Sequence, residues 1–284
     1  MSAIHARVAE ARERLRAAGL SPAEADLSAR LLAEHALGWD TARLLTEGQQ
    51  DEPAGFDVIY DALIARRASR EPFSYIVGYR EFWGLRLEVT PAVLIPRPET
   101  ELIVESALAL APPSALFTMI DACTGSGNVA VAVATERKNA RIVATDVSAE
   151  AIEVARRNAA RHGVEARVLC VEADLFGDVG GPVDLITANP PYVPQVSAPG
   201  LQPEVGDHEP AVALFGGASG LGMIERVVRE APPLIRPGGH LICEFGFGQE
   251  VEVEALVNAS SELRLVELKR DLQGLARTFV ASRV

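Results

Sequence analysis

Val183-Asp184-Leu185-Ile186-Thr187-Ala188-Asn189-Pro190-Pro191-Tyr192 joins a short apolar run to a polar turn stiffened by prolines. The run has the length and composition of a buried parallel strand, which delivers its last residue to the carboxyl edge of a sheet, where open α/β folds place their ligands. The two prolines fix φ and withhold N–H donors, so the turn keeps one shape. It offers the Asn189 side-chain oxygen, the Pro190 carbonyl and the Tyr192 ring. Two acceptors beside an aromatic face suit a planar NH2 group, either an amide or the exocyclic amine of a base, gripped by both hydrogens while the nitrogen stays open to an electrophile. The same four residues also make an ordinary loop, since Asn and Pro are both common turn formers.

On either side of this stretch, apolar strands alternate with helical segments: Phe117 to Ala122, Arg141 to Asp146, Arg167 to Glu172, Val183 to Ala188 and His240 to Phe245. That order predicts a doubly wound parallel sheet. Residues 262–268 and 277–282 are strand-like with a short loop between them, which predicts a hairpin at the sheet's edge. The expected fold class is therefore α/β, a Rossmann-like and mostly parallel sheet of seven strands with an antiparallel edge strand. A final antiparallel strand tucked into a parallel sheet separates a class I methyltransferase fold from an ordinary dinucleotide-binding domain.

The first part of the chain reads differently. Residues 3–18 carry a helical apolar pattern closed by Gly19. Ser21-Pro22-Ala23-Glu24 is a capping box with Pro at the first position of a helix that runs to Leu37. Asp40-Thr41 caps a short third helix, and 56–69 again has helical spacing. From Phe73 to Val89 the composition turns aromatic and β-branched around Gly78 and Gly84, the pattern of a β-hairpin. The expected organisation is a helical domain over 1–72, a hairpin linker over 73–90 and a sheet domain over 91–284.

With 284 residues, 48% of them hydrophobic, and a mean hydropathy of +0.13, the chain can bury a large core. Pro112 and Pro113 split its most apolar region, so no stretch reaches the roughly 18 residues of a membrane span. Glu10 and Glu13 stand among the N-terminal arginines where a secretory signal would have an apolar core. A cytoplasmic protein without a membrane partner is expected. The net charge of −12, with ten Arg against thirteen Asp and Glu in the first 85 residues, argues against stable binding of nucleic acid through its phosphates. The three cysteines and five histidines show no ligand spacing, so no metal is expected. The lack of a long exposed apolar helix points to a monomer.

A second site element follows the first strand of the sheet domain. In Asp121-Ala122-Cys123-Thr124-Gly125-Ser126-Gly127-Asn128 the glycines allow a tight turn and the approach of a ligand to the backbone and the next helix's N-terminus. Such a turn serves nicotinamide and flavin cofactors as readily as S-adenosyl-L-methionine. Asp146, nineteen residues beyond Gly127, ends the second strand, where a carboxylate can accept from both ribose hydroxyls. It is also placed to cap the helix starting near Ser148. Asp174, followed by Leu175 and Phe176, suits an adenine edge beside an apolar wall, or a solvated turn. The candidate cofactor residues are Cys123, Thr124, Gly125, Ser126, Gly127, Asp146, Asp174, Leu175 and Asn189. Nicotinamide chemistry leaves the Asn-Pro-Pro-Tyr turn without a purpose, whereas methyl transfer uses every part. Asn189, Pro190 and Tyr192 are then the catalytic candidates, and with Pro191 they form the substrate site. The two oxygens would orient the nitrogen and favour positive charge growing on it, while the ring packs against the amide.

With these segments in view, the chain resembles the HemK/PrmC family, protein-(glutamine) methyltransferases that modify the Gly-Gly-Gln loop of peptide chain release factors. The resemblance runs through residues 73–78, 81–84, 94–101, 124–127, 146–148 and 189–192. It continues at Glu209-Pro210, residues 214–217, Gly220-Leu221, residues 237–239, and Glu244 with Gly246 and Gln249. Ile95-Pro96-Arg97-Pro98-Glu99-Thr100-Glu101 beside Asn-Pro-Pro-Tyr is the specific combination, because Asn-Pro-Pro-Tyr alone is shared with DNA adenine-amine and RNA guanine-amine methyltransferases. The resemblance implies that the glycine-rich loop and Asp146 hold S-adenosyl-L-methionine, with S-adenosyl-L-homocysteine as product, and that Leu175 lines the adenine. It also implies that residues 189–192 bind the substrate glutamine, that the Pro-Arg-Pro-Glu-Thr loop closes over the site, and that the helical domain docks the release factor. Two departures from the family pattern are Ala218-Ser219, where an acidic residue usually precedes Gly220, and Ala122-Cys123 in place of Leu-Gly or Leu-Cys. The competing function is a DNA or RNA base-amine methyltransferase using the same turn on a flipped base.

Overall fold

The computed structural model describes residues 3–284 and divides into two compact units. One runs to Gly78 and takes in the later segment Gln202–His208; the other comprises Tyr79–Leu201 and Glu209–Val284.

The first unit is helical: α1 (Ile4–Ala17), α2 (Pro22–Leu37), α3 (Thr41–Glu47), α4 (Phe56–Ala68) and α5 (Phe73–Val77). The capping box at the start of α2 is present, with Ser21 and Glu24 satisfying each other's backbone N–H. Asp40 caps α3 through the Arg43 N–H, and Gly38 ends α2 in the left-handed conformation. The core is a helical stripe of Ile4, Val8, Ala11 and Leu15 against Leu32, Tyr60 and Ile64. The Tyr60 hydroxyl, fully enclosed, donates to the Ala29 carbonyl at 2.8 Å. The short helix α9 (Pro203–Gly206) belongs to this unit, where Glu204 receives Arg67 at 2.9 Å and Arg70 at 2.6 Å.

The expectation of a hairpin from Phe73 is corrected here. Residues Phe73–Val77 are helix α5, and only β1 (Tyr79–Phe82) and β2 (Leu85–Glu88) pair. Phe73, Ile76 and Val77 meet the helical core at i, i+3 and i+4, a spacing that five residues cannot separate from strand alternation when read alone. Gly78, at φ 79°, stops the helix. Trp83 and Gly84, at φ 53° and 69°, then form the two-residue turn whose twist matches a hairpin.

The second unit continues with α6 (Glu101–Leu110), β3 (Phe117–Ala122), α7 (Asn128–Glu136), β4 (Ala140–Asp146), α8 (Ala149–Arg161), β5 (Val168–Glu172) and β6 (Val183–Ala188). After α10 (Ala211–Leu214) and α11 (Gly222–Glu230) come β7 (Ile235–Glu244), α12 (Glu250–Ala259), β8 (Leu263–Arg270) and β9 (Ala276–Arg283). The seven-stranded sheet has the order β5-β4-β3-β6-β7-β9-β8. Pairs among β3 to β7 are parallel, and both pairs made by β9 are antiparallel. This is the fold of a class I methyltransferase. The hairpin of β8 and β9 lies at the sheet's edge as expected, with the final antiparallel strand, β9, tucked between β7 and β8. Burial fits the order: β9 is enclosed along almost its whole length, whereas β8 is mostly open and leaves Val266 exposed.

The start of α7 approaches α8 closely enough that Gly127, at φ 78°, would put a Cβ 3.1 Å from that of Ala155. Gly127→Ala is expected to cost about 2 kcal/mol, from the left-handed backbone together with the contact. Thermal unfolding checks this, and an unchanged melting temperature would contradict it.

Candidate active site

Strand order reverses between β3 and β6, and open sheets bind ligands at such a point, beyond the carboxyl ends of the strands. A cleft of about 920 Å3, its open mouth included, lies there. It is walled by the Pro96-Arg97 loop and Thr100 on one side, by the turns after β3, β4 and β5, and by Asn189 and Pro191 after β6.

The floor is built by register. Asp121 pairs across the sheet with Thr187, whose hydroxyl donates to Asp121 Oδ1 at 2.7 Å, while the Thr124 hydroxyl donates to Oδ2 at 2.6 Å. Burial pushes the Asp121 carboxyl up to about 6, against the pull of both hydroxyls. Thr124 N–H donates to the Thr145 carbonyl, and the Thr145 hydroxyl to the Leu175 carbonyl, so the turns after β3 and β5 are stitched to β4. Cys123 and Leu175 both line the cleft with positive φ, 56° and 52°, an unusual backbone for side-chain-bearing residues that concentrates at functional sites. Gly125, at φ 54°, also lines the cleft, and a Cβ there would meet nothing within 4 Å, so its bare backbone is open to a ligand.

Asp146 closes the same turn. Its Oδ2 accepts from Gly125 N–H at 2.9 Å and its Oδ1 from Ser148 N–H at 3.0 Å. The cap of α8 is supplied by the Ser148 hydroxyl, which accepts from Ala151 N–H, rather than by Asp146. A carboxylate has about four acceptor directions, so these two bonds leave acceptor capacity for a diol such as a ribose. Burial raises the Asp146 pKa from its ordinary value, opposed by the backbone donors. The residues present therefore fit an adenosyl group: a carboxylate with spare acceptors, an open glycine backbone and the start of α7. Asp174 also lines the cleft, but both its oxygens are engaged by Arg226, at 3.0 and 3.2 Å.

On the side of the Asn-Pro-Pro-Tyr turn, Asn189 Nδ2 donates to the Thr100 hydroxyl at 3.2 Å, and Oδ1 has no hydrogen-bond partner among the described residues. No group in the described chain bonds the Pro190 carbonyl. Asn189 and Pro191 line the cleft, whereas Pro190 is buried and neither Pro190, Tyr192 nor Gly127 is part of its walls. The Tyr192 hydroxyl donates to Glu244 Oε1 at 3.0 Å. Glu244, at the end of β7, is 1% exposed; burial pushes its carboxyl up to about 7 while the Thr100 and Tyr192 hydroxyls pull it down. The turn is clamped from behind. Gln249 Nε2 donates to the Tyr192 carbonyl, and Val193 exchanges hydrogen bonds with Leu214 and Gly216. Glycine is required at 216 and 220, where a Cβ would collide with the Pro191 and Tyr192 carbonyls respectively. Ser219, the departure from the family pattern, accepts from Leu221 N–H.

Glu209 holds the proline-rich loop. Its carboxylate, 1% exposed, accepts from Arg97 Nη2 at 2.6 Å and from Ile95 N–H at 3.3 Å. Asn158 was not legible as a site residue, yet its amide bonds both backbone groups of Glu88 and the carbonyl of Ser126, tying β2 and the glycine-rich loop to α8. The available signal was an amide at 158 in a helix stripe otherwise made of Ala151, Ile152, Ala155 and Ala159. Arg226 and Thr187 gave no such signal.

Residues 8–78 match the family model described as the PrmC N-terminal domain, and residues 101–200 match the methyltransferase small domain. A release factor glutamine methyltransferase of Cereibacter sphaeroides is 42% identical over 264 residues, 93% of this chain and 92% of the relative. One from Nitratidesulfovibrio vulgaris is 39% identical over 277 residues, 96% of this chain and 92% of the relative. Among solved structures, a methyltransferase from Pyrococcus furiosus shares the fold at 18% identity and a TM-score of 0.53, over 79% of this chain and 95% of that one.

Proposed function

The chain belongs to the family of release factor glutamine methyltransferases, and on that premise we propose how its residues transfer a methyl group from S-adenosyl-L-methionine to the side-chain amide nitrogen of the glutamine in a release factor's Gly-Gly-Gln motif. The observation that carries the reading is the polarity of Asn189: Nδ2 is given to Thr100, so Oδ1 and the Pro190 carbonyl remain as acceptors.

Bound in the cleft, S-adenosyl-L-methionine supplies a methyl group activated by a positively charged sulfur. Asp146 takes the ribose hydroxyls with its remaining acceptor capacity. Gly125 admits the cofactor against the backbone, with Cys123, Thr124, Ser126 and Gly127 shaping the loop, and Leu175 and Asp174 flank the adenine. An amide nitrogen is a poor nucleophile because its lone pair is delocalised into the carbonyl. Asn189 Oδ1 and the Pro190 carbonyl each accept one N–H of the substrate, fixing the nitrogen and favouring positive charge on it. Pro191 walls the same pocket. Tyr192, its hydroxyl anchored on Glu244, presents its ring to the cationic centre. The helical unit docks the release factor. The protein acts as a cytoplasmic monomer on this reading; the net charge of −12 supports the lack of stable nucleic-acid binding, and among the described residues no helix is long and apolar enough to cross a membrane.

The base-amine alternative is not favoured, because close relatives over nearly the whole chain are named for glutamine methylation. Incubation with labelled S-adenosyl-L-methionine tests the assignment. Label is expected in a release factor, not in the same factor with its motif glutamine replaced by alanine, and not in DNA or RNA. Label in nucleic acid alone would overturn it.

A further inference from the structure

The acceptor turn has to hold its two oxygens in one relation to the incoming NH2, and its prolines supply only part of that. Pro190 and Pro191 fix φ, but rotation about ψ still swings the Pro190 carbonyl. A hold farther along the chain closes this freedom. Tyr192 is held at both ends: its hydroxyl donates to Glu244 Oε1 at 3.0 Å, and its carbonyl accepts from Gln249 Nε2 at 3.0 Å. Both holds come from the junction of β7 and α12.

The second hold has a fixed direction. Gln249 Oε1 accepts from Gly246 N–H at 2.8 Å, and because an N–H can only donate, the carboxamide cannot turn over without losing that bond. Nε2 therefore faces Tyr192 as a donor. One side chain ties the turn after β7 to the turn after β6. Packing is arranged around it: a Cβ on Gly220 would lie 2.8 Å from Nε2, and one on Gly246 would lie 2.9 Å from Oε1 and 3.1 Å from Tyr192 Cδ2. Gln249 also stands at the N-cap of α12, where Ser, Thr, Asp or Asn would serve the helix better, and its side chain makes no cap bond. Its amide is committed to the two turns instead.

We propose that Gln249 is a positioning residue for methyl transfer, which fixes the Pro190 carbonyl and the Tyr192 ring by donating to the Tyr192 carbonyl. It is not part of the cleft wall and acts through the backbone of the turn. This inference rests on the reading of Asn189 and Pro190 as acceptors given above.

Gln249→Met keeps the length of the side chain and removes both bonds, whereas Gln249→Glu keeps its shape and the acceptor for Gly246 N–H but, while ionised, has no donor for Tyr192. With release factor as substrate, both are expected to lower kcat about 10- to 100-fold near neutral pH, as displacement of a reacting group does. KM for the release factor and the calorimetric affinity for S-adenosyl-L-methionine each stay within about threefold, because the loss falls on the transition state. A protonated carboxyl carries an O–H that can donate to the Tyr192 carbonyl. The kcat of Gln249→Glu, taken as a ratio to the parent at each pH, should therefore rise about threefold or more from about pH 8.5 to about pH 5.5, since burial against a carbonyl oxygen raises a carboxyl's pKa. The ratio for Gln249→Met stays level. Glu244 and Tyr192, the titratable groups at this turn, are common to all three proteins. Parental kcat in Gln249→Met, a deficit that lies in cofactor affinity, or ratios that run alike for the two variants at every pH would each overturn the proposal. If Gln249→Glu does not fold, Gln249→Met decides alone through kcat and cofactor affinity. Turnover surviving in Asn189→Ala would mean that the reading of the turn itself is wrong. An inactive Asn189→Ala beside a fully active Gln249→Met would remove only the role of Gln249.

Discussion

Asn189→Ala is expected to lower kcat on release factor about 100- to 1000-fold, the range seen when a group that stabilises developing charge is removed. Affinity for S-adenosyl-L-methionine should change little. The adenosyl side of the cleft is held by Asp146, Gly125 and the Thr124–Asp121–Thr187 set, none of which hydrogen bonds to Asn189. What the variant loses is the side-chain oxygen at the end of β6, one of two acceptors on the reacting NH2. The Pro190 carbonyl survives, because the backbone is fixed by two prolines and by Gln249 on the Tyr192 carbonyl. One acceptor tethers the amide without orienting it, so the loss falls on kcat more than on KM. Single-turnover kinetics together with calorimetric cofactor binding check this. A variant with parental kcat would remove Asn189 from the chemistry.

Asp146→Ala is expected to have the opposite signature, a cofactor affinity reduced about 100-fold with a smaller change in kcat at saturation. Hydrogen bonds to a charged partner contribute roughly 1.5–3 kcal/mol each, and on the proposed reading two ribose hydroxyls bond this carboxylate. The same substitution frees Gly125 N–H and Ser148 N–H, which donate to Asp146 and fix the turns after β3 and β4. Asp146→Asn keeps one oxygen acceptor and should fall between parent and alanine. Calorimetry and the KM for S-adenosyl-L-methionine both report the effect. Unchanged affinity in the alanine variant would place the ribose elsewhere.

These two residues illustrate what a single chain discloses. Asp146 stands out because βαβ units place a carboxylate at a nearly fixed distance beyond the glycine-rich turn, and that distance is measured along the sequence. The strand Val183–Ala188 is readable residue for residue, since a strand enclosed on both faces is mainly apolar, here with Asp184 and Thr187 as its polar residues. The capping box of α2 is equally local. Phe73–Val77 misleads for the converse reason. Its five residues fit a strand by composition, and only the helical core they meet settles the matter.

The sequence by itself determined the alternation of strands and helices, the helical first unit, the two turns proposed to carry the chemistry and the acidic balance. All of these follow from periodicity, capping and turn residues within a few positions of one another. Tertiary structure alone decided that β9 lies inside β8, that Arg226 takes both oxygens of Asp174, that Asn158 braces Ser126, and that Glu244 meets Tyr192. Those partners stand between 32 and 52 residues apart. Their meeting depends on strand order and on which surfaces burial brings together, which no local pattern encodes.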